Sequence, residues 1–106
     1  MPQRRPAAQY RHGDVMIEAA TQLPDQLRKL PHTILAHGEL TGHCHRIADP
    51  KTAEVFDTPE GMFLKVTADE ATVVHDEHHG ITLPEGIYRV WRQREYSPEE
   101  IRIIRD

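Results

Sequence analysis

A chain of 106 residues, 38% hydrophobic and 28% charged, is sized for one domain with one modest core. Its formal charge of -4 argues against a dedicated nucleic-acid binder, which carries a strong basic excess. The single cysteine, Cys44, excludes an intrachain disulfide and fits a reducing, cytoplasmic setting; no apolar run approaches the roughly 18 residues of a membrane span.

Residues 1–9 read as a flexible leader, with two prolines, two arginines, two alanines and no periodicity. Arg4, Arg5 and Arg11 are not followed by an apolar stretch, so the segment is not expected to be a secretory signal. A single β domain is expected over 10–106. From Tyr10 the chain reads as a first strand, with Val15 and Ile17 on one face and Met16 and Glu18 on the other. The polar segment between Pro24 and Pro31 has room for one helical turn at Asp25–Lys29. Short strands follow at Thr33–Ala36 and Leu40–Ile47, separated by a turn at His37-Gly38-Glu39 and ended by Asp49-Pro50.

Ala53–Phe56 and Met62–Thr67 form a hairpin through Thr58-Pro59-Glu60-Gly61. Strands at Ala71–His75 and Ile81–Leu83 flank a histidine cluster, Leu83-Pro84-Glu85-Gly86 reads as a turn, and Ile87–Tyr96 is the longest β pattern. Ser97-Pro98-Glu99-Glu100 has the chemistry of a helix start, whereas Ile101, Ile103 and Ile104 suit an edge strand. Many short strands with close turns predict an all-β small barrel or sandwich with at most one short helical turn.

Histidine is the outlier. Eight occur, and five fall in two clusters: His43 and His45, then His75, His78 and His79. In a strand, residues two apart point to the same side, so His43 and His45 present two imidazoles together while Cys44 points away. The thiol reads as a small buried hydrophobe. In the second cluster a continuing strand aligns His75, Glu77 and His79; a turn at Asp76 makes His78 the partner of His75 instead. His43, His45 and His75 with His78 or His79 would suit a divalent transition metal, zinc first and iron, nickel, copper or manganese after it. Three ligands and an open position would allow catalysis on a small substrate. Glu77 is the candidate general base, and Asp76 or Glu77 a carboxylate that fixes a ligand tautomer. The competing reading makes the protein a non-enzymatic assembly or interaction module whose histidines are structural or pH-responsive. His12, His32 and His37 lack companions in the sequence and read as structural or surface residues.

Arg89, Arg92 and Arg94 alternate with Tyr88, Trp91 and Tyr96. Such a strand fits ion pairs with nearby carboxylates or a homo-oligomer interface, then a small-molecule or anionic ligand, with nucleic acid last. A small single-core chain also favours self-association.

Two resemblances attach to these residues. Gly38-Glu39-Leu40-Thr41-Gly42-His43-Cys44-His45-Arg46 and Arg92-Gln93-Arg94-Glu95-Tyr96 resemble stretches in a group of short uncharacterised bacterial and phage-type proteins, which implies no activity. Gly38, His43, His45, Asp49 and the turn Pro84-Glu85-Gly86 together resemble the cupins, small metal-holding β-barrels. That resemblance implies His43 and His45 as ligands, Asp49 as a third, and a cupin-like barrel. The sequence departs from the cupin pattern at Arg89, where a fourth ligand would stand, and in a Gly-to-His spacing one residue short.

Overall fold

Alternating burial runs through the computed structural model, which describes residues 8–37, 44–75 and 78–93, the side chain of residue 78 apart. Among the described residues eight strands form: β1 (Gln9–His12), β2 (Val15–Ala20), β3 (Arg28–Lys29), β4 (Ile34–His37), β5 (Cys44–Ile47), β6 (Ala53–Thr58), β7 (Gly61–His75) and β8 (His78–Arg92). All pair antiparallel in the order β1-β2-β8-β7-β5-β4, with β6 beside the first half of β7 and β3 beside β6. The sheet curls into a half-barrel, so the expected all-β class of small domain is found. Among the described residues, no helix is long and apolar enough to cross a membrane.

Three local expectations are corrected. The segment from Tyr10 is a hairpin, not one strand: His12 pairs with Val15 across a two-residue Gly13-Asp14 loop. Positive φ occurs at Gly13 (63°) and not at Asp14, the type II′ pattern whose twist suits a hairpin. No helical turn forms at Asp25–Lys29. Six residues between prolines are too few to offset helix nucleation, whereas Arg28 and Lys29 gain ladder partners in Asp57 and Phe56. The one helical turn among the described residues is a 3-10 turn at Pro50–Thr52, where the Asp49 carboxylate accepts from the Lys51 backbone N–H. Finally, Pro84-Glu85-Gly86 is not a turn but the middle of β8.

That last difference shapes the molecule. Between the pairs Val66↔Gly86 and Glu70↔Pro84, β7 has Thr67, Ala68 and Asp69 where β8 has only Glu85. A second irregularity lies between Val73↔Ile81 and His75↔His78. Extra residues on one side of a ladder bend it and sharpen its twist. Proline is tolerated at such a break, and Gly86 adopts φ 153°, a conformation that side chains disfavour. At about 3.3 Å per residue, a straight β8 would hold His79 and Arg92 roughly 40 Å apart. Instead both ends touch the β1–β2 hairpin tip: the His79 carbonyl is 2.8 Å from His12 Nε2, and Arg92 Nη2 is 2.9 Å from Asp14 Oδ2. The long β7–β8 hairpin therefore wraps round the core and returns to β1.

The core is the inner wall of this curl. Val15, Ile17, Ile47, Val55, Leu64, Val66, Val73 and Leu83 are fully buried, each contributing about 1.5–3 kcal/mol of transfer free energy. Tyr10 and Tyr88 pack edge to face at 6.1 Å, and the Tyr88 hydroxyl donates to the Pro84 carbonyl at 2.6 Å. Phe56 and Phe63, cross-strand partners on the other face, are also buried.

Candidate functional site

Three inward rows of side chains end in histidine. On β1 the row is Tyr10, His12; on β5 it is Ile47, His45; on β7 it is Ala71, Val73, His75. Strand alternation carries each imidazole onto the apolar wall, and all three are buried, at 2%, 2% and 9% exposure. A buried imidazole without hydrogen bonds costs kilocalories, so these rings need partners.

They find several in one another. His12 Nδ1 lies 2.9 Å from His45 Nδ1, with the rings nearly perpendicular at 82° and 5.0 Å between centroids. His75 also packs against His45, its ring centroid 4.4 Å away and tilted by 35°. His12 Nε2 faces the His79 carbonyl at 2.8 Å, and His45 Nε2 faces Asp14 Oδ1 at 3.5 Å. Asp14 Oδ2 in turn accepts from Arg92 Nε at 3.2 Å and Nη2 at 2.9 Å. Arg92 also donates from Nη1 to the His37 carbonyl at 2.9 Å, and the Gln93 backbone N–H donates to the Asp14 carbonyl at 2.9 Å. Burial raises the Asp14 pKa, but the Arg92 hydrogen bond and charge, a backbone hydrogen bond and the nearby His45 outweigh it. The carboxyl is held below its ordinary range.

Of the residues expected from sequence, His45 and His75 come together on the inner wall. His43 and Glu77 lie outside the described residues, as do Asp76, Gly42 and the 94–106 segment. His78 pairs with His75 in the register of the β7–β8 ladder; its side chain lies outside the described residues. His79 is exposed and meets the cluster through its carbonyl. Cys44 is half-buried, on the opposite side of β5 from His45. Asp49, the third ligand implied by the cupin resemblance, is exposed and occupied as a cap. Arg89 is exposed beside the Trp91 ring, 5.9 Å from its centroid, while Arg92 takes the ion-pair role. His32 is exposed and accepts from the Ile34 backbone N–H at 3.1 Å. Among the described residues, no group of three or more His, Cys, Asp or Glu side chains is spaced to hold a metal ion.

The sequence reading missed His12 and Asp14, and with them the bond between Asp14 and Arg92. A signal was there: once Gly13-Asp14 is taken as a two-residue loop, His12 stands opposite Val15, and cross-strand partners share a face. Val15 is core by its alternation with Ile17, so His12 has to be inside.

A family described as a domain of unknown function (DUF8820) matches residues 11–93, which include this whole cluster. No curated protein and no solved structure matches the chain significantly. The family agrees with the resemblance to uncharacterised proteins and brings no activity with it.

Proposed function

The chain belongs to the DUF8820 family, and for it we propose a metal-binding function: a divalent transition metal, zinc first, held on the inner wall by histidines. The observation that carries this reading is the convergence of buried imidazoles from three strands, two of whose Nδ1 atoms are 2.9 Å apart. Ligands of a tetrahedral zinc at 2.0–2.1 Å stand roughly 3.3 Å apart, so a few tenths of an ångström separates this pair from a coordinating one. His12 and His45 supply half of a site. The remaining donors in this reading are His75 and His43, two residues before His45 in the sequence, with His78 or His79 as the next candidate. An open position would let the metal act on a small substrate, with Glu77 as the base.

A second reading is favoured by the same distance. A separation of 2.9 Å is that of an N–H···N hydrogen bond, as in a metal-free module with structural histidines. Homo-oligomerisation is compatible with either reading. The sheet order ends at β1 and β4, whose outer edges offer backbone groups to a second copy.

Elemental analysis of untagged protein, followed by calorimetric titration with zinc, nickel and manganese, separates the readings. The metal reading expects stoichiometric binding that falls at least tenfold in His45→Ala and in His12→Ala. No binding of any of the three ions would refute it in favour of the hydrogen-bonded pair.

A further inference from the structure

A second feature is built where β3 leaves the sheet. That strand pairs with β6 over two residues, and beyond it the Leu30 N–H donates to the Val55 carbonyl at 2.8 Å. Pro31 follows, with no N–H to offer, and the chain crosses to β4. An open cavity of about 530 Å³ lies between the departing chain, β6 and the turn at Pro50–Thr52. Its volume is within the range of small-molecule sites, roughly 300–1,000 Å³. Thr67, at the break in the β7–β8 ladder, also lines it, eight residues before His75 on the same strand. Among the described residues, none of the buried histidine cluster does.

The lining combines an apolar wall with an excess of donors. Ala53 and Val55 are buried, and Leu30 packs against the same core. Alternate residues of a strand turn their backbone groups to the same side. The Val55 carbonyl faces the β3 side, so the Ala53 N–H and carbonyl face that way too, past the point where β3 has left. His32 Nδ1 accepts from the Ile34 N–H at 3.1 Å, which leaves the ring hydrogen on Nε2 as a donor. Thr33 and Thr67 bring hydroxyls, and Lys29 and Lys51 bring ammonium groups. Glu54 is the one carboxylate among the described lining residues, and its Oε2 is 3.2 Å from Lys29 Nζ. Among the described residues Lys51 has no such partner. One uncompensated cation thus stands beside an apolar wall, in a chain whose formal charge is -4.

We infer that this cavity binds a small organic anion, a carboxylate or phosphate head on an apolar body. The head takes the Lys51 ammonium and the His32 N–H, and the body packs on Leu30 and Val55. Charge-assisted hydrogen bonds of this kind are the strong ones, and the apolar wall selects against fully hydrated inorganic ions. Glu54 tempers the site, because it occupies Lys29 and repels an incoming anion. A cationic ligand finds no carboxylate here that is not already paired.

The test is a titration of the 15N-labelled full chain with hexanoate, hexyl phosphate and the neutral 1-hexanol. Amide shifts are followed up to about 20 mM, which covers millimolar Kd values. Both anions should shift the amides of Thr33, Lys51 and Ala53 saturably, the tighter one naming the head group, and hexanol should bind about tenfold more weakly. Lys51→Gln should weaken anion binding about three- to tenfold and Lys51→Arg should restore it. Glu54→Gln frees Lys29 and should tighten binding about two- to fivefold, a gain that misfolding cannot imitate. Arg89→Gln makes the same charge change on the exposed face of β8 and should leave Kd within about twofold, since screening limits distant charges. The inference is overturned if those amides show no saturable shift, or if hexanol binds as tightly as the anions. Weaker binding in Glu54→Gln, or an equal loss in Arg89→Gln and Lys51→Gln, would overturn it as well. None of these readouts involves the buried histidines, so the metal reading stands or falls separately.

Discussion

Arg92 offers the sharpest test of how the curl is held. Its guanidinium makes two hydrogen bonds to Asp14 and one to the His37 carbonyl, with side-chain exposures of only 21% for Arg92 and 30% for Asp14. Hydrogen bonds to charged groups contribute about 1.5–3 kcal/mol when shielded, and partial exposure lowers that. Arg92→Met keeps most of the stem and should cost about 2–3 kcal/mol. With a urea m-value of about 1–3 kcal/mol/M, the unfolding midpoint should fall by roughly 1–2 M. A double-mutant cycle with Asp14→Asn should return a coupling of about 1–2 kcal/mol. The chain carries its own control in Arg28–Asp57, also an Arg–Asp pair at 3.2 Å but 72% and 57% exposed, for which coupling should stay below about 0.5 kcal/mol. If the two cycles gave equal couplings, Arg92 would be an ordinary surface ion pair and the account of the closure would be wrong.

Two further outcomes are expected from the same structure. Gly86→Ala should destabilise by about 1–3 kcal/mol in thermal or urea unfolding, because φ 153° is strained for alanine although its Cβ would meet only Tyr88 at ordinary contact distance. A neutral or stabilising change would show that β8 does not depend on that conformation. Burial, and secondarily Tyr10, raises the Tyr88 pKa, so its contribution is complete below the unfolded value of about 10 and is lost as pH rises through the folded value. Tyr88→Phe should therefore flatten the alkaline loss of stability, at a cost of about 0.5–1.5 kcal/mol near neutrality for the bond to Pro84. Identical alkaline limbs in both proteins would contradict this.

The sequence carried the strands well wherever burial alternates in phase with the ladder. Val15 and Ile17, the β6–β7 hairpin through Pro59-Glu60, and the inward set of His45 were all legible from a period of two. Pro84-Glu85-Gly86 misled because its composition is that of a turn. The structure uses the same chemistry for a bend within β8, where Pro84 stands opposite Glu70 at a break in the ladder. His75 was legible as a partner of His45, but His12 was not. Its hydrogen-bond partners His45 and His79 are 33 and 67 positions away, and the second is brought to it only when the long hairpin has wrapped round. Local periodicity holds no information about that closure, whereas the two-residue loop at Gly13-Asp14 would have placed His12 inside.

The wrap of β8 also sets an order of events. The β6–β7 and β7–β8 hairpins close over short stretches of chain, whereas the His12–His79 and Asp14–Arg92 contacts join residues 67 and 78 apart. Loop-closure entropy favours the hairpins first and leaves this seam among the later steps. Interactions absent from the folding transition state slow unfolding and leave the folding rate almost unchanged. A metal ion held by His12 and His45, as proposed above, would thus act as a latch: it would lengthen the lifetime of the curled sheet without helping the chain to find it.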